Sequence, residues 1–153
     1  MIPRRVTVSR LLAGALVSEF IWPVRVYYED TDSGGVVYYA NYLKFMERAR
    51  TEWLRSFGIE QDRLRDRDGV IFAVRSAHAE FLRPGRFNDR LIVVSNIASR
   101  GRASLVFEQK VVRNDEVRET LCAAEVKVAC IDAATMKPRA IPREIITEIF
   151  GDR

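Results

Sequence analysis

The chain predicts an α+β domain in which a curved, five-stranded antiparallel sheet wraps around one long helix. Three observations carry this. A helical apolar stripe lies between Tyr42 and Phe57, a single strand precedes it, and four segments rich in β-branched residues follow in quick succession. With 153 residues, 48% of them hydrophobic, there is material for one domain with a substantial core.

Taken in order, residues 1–20 read as a loosely attached N-terminal extension and 21–153 as the domain. The extension contains Arg4-Arg5 and the run from Leu11 to Val17, which imitates a secretory signal, but Ser9 and Arg10 interrupt the apolar part. No segment approaches the roughly 20 apolar residues that cross a bilayer. From Trp22 to Glu29 the side chains alternate, with Val24, Val26 and Tyr28 on one side and Arg25, Tyr27 and Glu29 on the other, as a half-buried strand requires. Tyr42, Phe45, Met46, Ala49, Trp53 and Phe57 then recur at helical spacing. Asn41 is the expected N-cap and Gly58 the expected stop.

The charged stretch Ile59–Gly69 predicts a short helix or loop. Strands follow near Val70–Phe81, Asp89–Ser99, Ala103–Arg113 and Val117–Asp132, and their short separations suggest a meander. In the last of them Thr120, Cys122, Ala124, Val126, Val128 and Cys130 share one face. A helix near Arg143–Phe150 closes the chain. His78, the sole histidine, is placed by alternation on the face of Phe72, Val74 and Ser76, in a structural role.

The formal net charge is +4, from 25 basic and 21 acidic residues. The bases are scattered among the acids, which argues against a polynucleotide partner and suits a small phosphorylated ligand. Cys122 and Cys130 lie too far apart along one strand to pair, so the expected setting is a reducing compartment with both thiols buried. There is no CxxC pair or Cys/His cluster, and no metal is expected.

The chemistry centres on Tyr28–Tyr42, Tyr-Glu-Asp-Thr-Asp-Ser-Gly-Gly-Val-Val-Tyr-Tyr-Ala-Asn-Tyr. Two acids, Asp30 and Asp32, precede the conformationally permissive pair Gly34-Gly35, and the chain enters its helix near Ala40. A helix start offers unpaired N–H groups and a partial positive charge, so it polarises a carbonyl oxygen while a nearby carboxylate attacks or activates water. Asp32 in this place also suits a plain turn-forming role.

Three stretches carry a family resemblance: Val24-Arg25-Val26-Tyr27-Tyr28-Glu29-Asp30-Thr31-Asp32, Phe45-Met46-Glu47-Arg48-Ala49-Arg50-Thr51-Glu52, and Met136-Lys137-Pro138-Arg139-Ala140-Ile141-Pro142. From Trp22 to about Phe150 the chain resembles hotdog-fold thioesterases of the 4-hydroxybenzoyl-CoA thioesterase family, and within it the YbgC-type, Tol-Pal-associated acyl-CoA thioesterases. The resemblance implies hydrolysis of acyl-CoA thioesters to free acid and CoA. It places the catalytic carboxylate on Asp32 and the thioester-oxygen donors on the backbone at Tyr39 and Ala40. Asp30 is expected to order the turn or bond neighbouring backbone, with a supporting electrostatic role second, and Gly35 to support the site through its backbone. Glu47, on the helix, is the fallback acid. Where YbgC-type proteins commonly carry His, this chain has Tyr39.

Arg100, Arg102 and Ser104 at one hairpin, with Lys137 and Arg139, suit the phosphates and nucleotide of coenzyme A, which is part of the substrate, and no separate cofactor is expected. Unprotected sheet edges, together with the resemblance, imply a homodimer or homotetramer. The expected location is cytoplasmic, extending to the periphery of the inner membrane. The alternative reading is a non-catalytic module that binds acyl-CoA or an acyl carrier protein.

Overall fold

The computed structural model describes residues 8–12 and 15–151, with side chains from Glu19 onward. Of the 1–20 extension, residues 1–7 and 13–14 lie outside the described residues. The rest forms strand β1 (Val8–Leu12) and the start of β2 (Ala15–Arg25). After β2 come α1 (Ala40–Arg55), α2 (Gln61–Asp68), β3 (Val70–Phe81), β4 (Arg90–Arg100), β5 (Ser104–Arg113), β6 (Thr120–Asp132) and α3 (Arg143–Phe150). The strands form one antiparallel sheet in the order β1-β2-β4-β5-β6-β3. Its body is the expected five strands. β1 pairs only with β2, from Ala15 to Glu19, beyond the rungs that join Phe20–Arg25 to β4.

The inner face of the sheet is apolar because alternate strand residues turn inward: Leu91 and Val93 on β4, Leu105, Phe107 and Val111 on β5, and Cys122, Val126, Val128 and Cys130 on β6 are all buried. Against this face lies α1, whose Phe45, Met46 and Ala49 are fully buried. The helix ends where the sequence predicts, since Gly58 adopts φ +78°, its N–H bonds Arg55 O at 2.9 Å and the N–H of Ile59 bonds Leu54 O at 3.1 Å. That pair of bonds satisfies the last carbonyls of the helix, and a left-handed residue is needed to make them. None of the helices in the described residues is long and apolar enough to cross a membrane.

Four expectations are corrected. The first strand stops at Arg25, four residues early, because Val26 pairs instead with the loop before β4: its N–H bonds Asp89 O and its carbonyl accepts from Asn88, each at 3.0 Å. Tyr28–Asp30 is a 3-10 turn, and Tyr28 is exposed against Phe87 rather than lying with Val24. The four later strands are not a simple meander, since β3 pairs with β6 at the far edge and the chain then crosses the end of the sheet to reach β4. A bulge between Val74 and Ser76 inserts Arg75 into β3 and reverses the alternation, so His78 lies on the outer face opposite Glu125, exposed.

Cys122 and Cys130 are buried and unpaired with each other, and burial pushes the Cys122 thiol up to about 11 and raises that of Cys130. Both groups therefore stay protonated in the folded state at pH 8. Titration of the native protein at that pH with a disulfide-based thiol reagent should label neither cysteine, and unfolding in denaturant should release both. Stability should begin to fall as pH rises past the unfolded thiol value near 9, because only the unfolded chain then loses those protons.

Candidate active site

The segment between β2 and α1 is folded by its own acids. The Asp30 carboxylate accepts the Tyr27 N–H at 2.8 Å, closing the 3-10 turn, and the Asp30 carbonyl accepts the Tyr38 N–H at 2.9 Å and Asn41 Nδ2 at 2.8 Å. Asn41 is thus not the N-cap. It is buried inside the first turn of α1 and ties that turn to Asp30, while Tyr39 occupies the cap position with helical dihedrals. Asp30 acts as an internal fastener.

Asp32 sits at the neck of the next turn. Its N–H bonds Val36 O at 2.9 Å, its carbonyl accepts the Gly35 N–H at 3.0 Å, and Oδ1 accepts the Gly34 N–H at 2.8 Å. Glycine is favoured at Gly35 by its backbone and is a close fit at Gly34. Gly35 has φ +76°, and a Cβ on Gly34 would come within 3.2 Å of Asp32 Oδ1. The carboxylate is therefore oriented through one oxygen, while Oδ2 has no partner among the described residues and the residue is exposed.

At the helix start, the Asn41 N–H bonds Tyr38 O and the Tyr42 N–H bonds Tyr39 O, leaving the N–H groups of Tyr39 and Ala40 without acceptors among the described residues. These are donors of the kind that stabilise a developing oxyanion. The Tyr39 ring is half exposed and packs edge-on to Phe81 at 5.5 Å and against Tyr38 at 5.0 Å.

The crossing between β3 and β4, Leu82–Asp89, forms the back of this turn. Gly85 O accepts the Val37 N–H at 2.8 Å, the Gly85 N–H bonds Tyr42 Oη at 2.8 Å, and Val36 bridges to Arg86. Burial raises the Tyr42 hydroxyl above its ordinary value, the Gly85 contact and Arg113 opposing. The sequence reads the stretch between the expected strands Val70–Phe81 and Asp89–Ser99 as a plain short connection and gives no sign of this contact.

The expected coenzyme A residues gather at the other end of the sheet. Ser104 pairs with Ala129, Ile131 bridges Pro138, and the Ile141 N–H bonds Arg102 O at 2.9 Å, so Arg100, Arg102, Ser104, Lys137 and Arg139 form one neighbourhood. Several already have work there. Arg139 Nη1 bonds Asp68 O at 3.0 Å and meets Asp132 at 3.3 Å, and the Arg100 guanidinium lies 4.4 Å from the centre of the Phe150 ring. Arg143, which the sequence reading did not select, lines an open depression with Arg100 and Arg102; its only sequence signal is its place as first residue of α3.

Within one chain the two groups stay apart. Arg25, which leads into the Asp32 turn, pairs with Arg90, and Arg100 lies ten residues further along β4, about 33 Å at the usual rise per residue. Glu47 lies two turns down α1 from Ala40 and accepts a hydrogen bond from Thr51 Oγ1 at 2.7 Å.

An exposed carboxylate and, seven residues on, two helix-start N–H groups without acceptors among the described residues lie at one end of an α+β sheet packed on a long helix, an arrangement suited to polarising a carbonyl. Residues 26–149 match the thioesterase-like superfamily, and the chain belongs to that family, with its hotdog architecture. Among its relatives, the acyl-CoA thioester hydrolase YbgC of Escherichia coli is 48% identical over 129 residues, 84% of this chain and 94% of that protein. The acyl-CoA thioesterase YbgC of Haemophilus influenzae is 44% identical over 126 residues, 82% and 90% of the two chains. A crystal structure of a probable thioesterase from Bartonella henselae matches with a TM-score of 0.76 at 34% identity, covering 81% of this chain and 99% of that one.

Gly85 offers a direct test of the packing behind the turn. A Cβ there would stand 3.0 Å from Val37 Cγ2 and 3.1 Å from Tyr42 Oη. Gly85→Ala should therefore lower unfolding free energy by about 1–3 kcal/mol in urea titrations. Unchanged stability would mean that the loop relaxes away from Val37.

Proposed function

We propose that this chain hydrolyses acyl-CoA thioesters to free acid and CoA, with Asp32 as the reacting carboxylate and the Tyr39 and Ala40 N–H groups as oxyanion donors. The observation that carries the reading is their closeness in one folded segment: an oriented carboxylate with one free oxygen lies seven residues before two helix-start N–H groups without acceptors among the described residues, in a segment closed by the Tyr38 N–H to Asp30 O bond. Membership of the thioesterase-like family and the activity named for the Escherichia coli relative support it.

The thioester carbonyl would rest against the two N–H groups, whose field is reinforced by the helix dipole. Asp32 then acts in one of two ways. As nucleophile it forms a mixed anhydride with the acyl group and expels CoA as thiolate, and water cleaves the anhydride; as base it takes a proton from the water that attacks the thioester directly. A single turnover in ¹⁸O-labelled water separates them, because only the anhydride route can leave label in the Asp32 peptide. Coenzyme A enters and leaves as part of the substrate, and the mechanism asks for no other cofactor.

A free sheet edge supports an assembly of more than one copy. β3 is the terminal strand of the sheet, its residues from Val74 to His78 are exposed, and no proline interrupts it. Pairing β3 antiparallel with its copy across a two-fold axis would satisfy those backbone groups. It would also set the Val70 end of one subunit beside the Phe81 end of the other. The arginine-rich end of one chain would then flank the Asp32 turn of its partner, removing the 33 Å separation as an obstacle. A homodimer, or a tetramer built from it, is the assembly this supports, and buried free thiols fit a cytoplasmic protein. The second reading, a binding module for acyl-CoA or an acyl carrier protein, draws on Tyr39, whose ring is engaged with Phe81 and supplies no imidazole.

Asp32→Asn should keep the fold, since the amide oxygen still accepts from Gly34, while thiol release falls by roughly 10²–10⁴-fold. Asp30→Asn should cost far less, because its amide oxygen still serves the Tyr27 N–H. The reverse order would transfer the role to Asp30, and near-normal turnover by folded Asp32→Asn would favour the binding module. Mixing Asp32→Asn subunits with subunits carrying Arg100→Ala and Arg102→Ala should partly restore activity if sites are shared. An active monomer at assay concentration, seen by light scattering, would rule the sharing out.

A further inference from the structure

We propose that Arg113 is a positioning residue for the reaction: by gripping the Leu82–Asp89 crossing it fixes the turn that carries Asp32 and the free donors of Tyr39 and Ala40. The inference rests on the thioesterase reading above and adds a residue to it that neither the sequence motif nor the helix start contains.

Arg113 is the last residue of β5, and its guanidinium reaches three groups. Nη1 pairs with the Asp89 carboxylate, Nη2 donates to Pro84 O at 2.9 Å, and Nε lies 3.8 Å from Glu119 Oε2. The same Asp89 oxygen accepts the Arg86 N–H at 2.8 Å. Residues 84, 86 and 89 of the crossing are therefore fixed from a single planar cation, which a point charge such as ammonium does not reproduce. Exposed ion pairs exert little hold on a structure. Arg113 differs, with only 21% of its side chain exposed and one arm spent on a main-chain carbonyl.

What the crossing touches is the reactive turn. Arg86 bridges Val36, Gly85 O holds the Val37 N–H, and the Gly85 N–H holds the hydroxyl of Tyr42 in the first turn of α1. Val36 O in turn accepts the Asp32 N–H at 2.9 Å. From the Arg113 guanidinium to the Asp32 backbone there is thus an unbroken series of hydrogen bonds and peptide units. Loosening the first member lets the carboxylate and the two donors drift relative to each other, and an error near 1 Å in such geometry is enough to cost about 10²-fold in rate. Arg25 also holds the crossing, through Asn88 O at 2.9 Å, but it is exposed and grips the side away from Gly85.

The test uses the full chain with Arg113→Gln, Arg113→Lys, Asp89→Asn and Glu119→Gln, scoring kcat and KM for thiol release from an acyl-CoA alongside amide hydrogen exchange. In Arg113→Gln, kcat should fall about 10- to 100-fold with KM within about twofold. Exchange at Val37 and Gly85 should quicken while Val93 and Val126 in the sheet keep their wild-type rates. Arg113→Lys should regain part of kcat through Asp89, and Glu119→Gln, which loosens Arg83 of the crossing at 3.3 Å and one side of Arg113 at 3.8 Å, should lower kcat less than Arg113→Gln does. Asp89→Asn removes one arm only and is read in the same way if Arg113→Gln does not fold. Unchanged kcat with unchanged exchange at Val37, or a loss of kcat matched by faster exchange across the whole sheet, overturns the assignment. Failure of the activity reading is distinct: a wild-type protein that releases no thiol sinks it, while exchange at Val37 in Arg113→Gln still decides whether the grip exists.

Discussion

Burial of one face of α1 against the sheet is the constraint on which the rest of the structure depends. Phe45, Met46 and Ala49 are fully removed from solvent, and each of the two larger side chains contributes about 1.5–3 kcal/mol by leaving water. That gain is available only if β4, β5 and β6 present a continuous apolar surface, which their alternation supplies. It also fixes the height and direction of the helix. The N–H groups of Tyr39 and Ala40 therefore emerge at one end of the sheet in a set place.

The core beneath the helix is not wholly apolar. Gln109, on the inner face of β5 and 1% exposed, donates to Met46 O at 3.0 Å and to Ser95 Oγ at 2.9 Å, and accepts from Arg50 Nη1 at 2.9 Å. Every hydrogen-bonding atom of its amide has a strong partner, so its burial is tolerated, and the geometry of the partners pins α1 to β4 and β5 in one register. Burial lowers the Arg50 guanidinium below its ordinary value, as expected where a charge is drawn partly out of water beside a neutral amide.

Topology then turns a scaffold into a site. Because β3 pairs with β6 at the far edge, the chain must cross the end of the sheet to begin β4, and it does so directly behind the Asp32 turn. A tight β3–β4 hairpin would have left Val37 and Tyr42 without the Gly85 peptide. The same edge placement leaves β3 unpaired on one side, so one topological choice both buttresses the turn and offers the surface on which a second subunit can dock.

Much of this was legible in the sequence. The α1 stripe, the Gly58 stop, β3 and α3 with their observed bounds, and the buried face of β6 all follow from local periodicity, which one chain segment expresses by itself. So did the grouping of Asp30, Asp32, Gly35 and Tyr39, because they lie within ten residues and their turn is closed by their own hydrogen bonds. Contacts between distant segments were not legible. Asn41 reads as a cap but ties back to Asp30, His78 changes face because Arg75 bulges, and Gly85, Arg113 and Gln109 have no local pattern that reveals their partners. Strand order decided the partners of these last three, and strand order is set by which edges can pair and what apolar area they bury together, a property of the whole fold that periodicity along one strand does not encode.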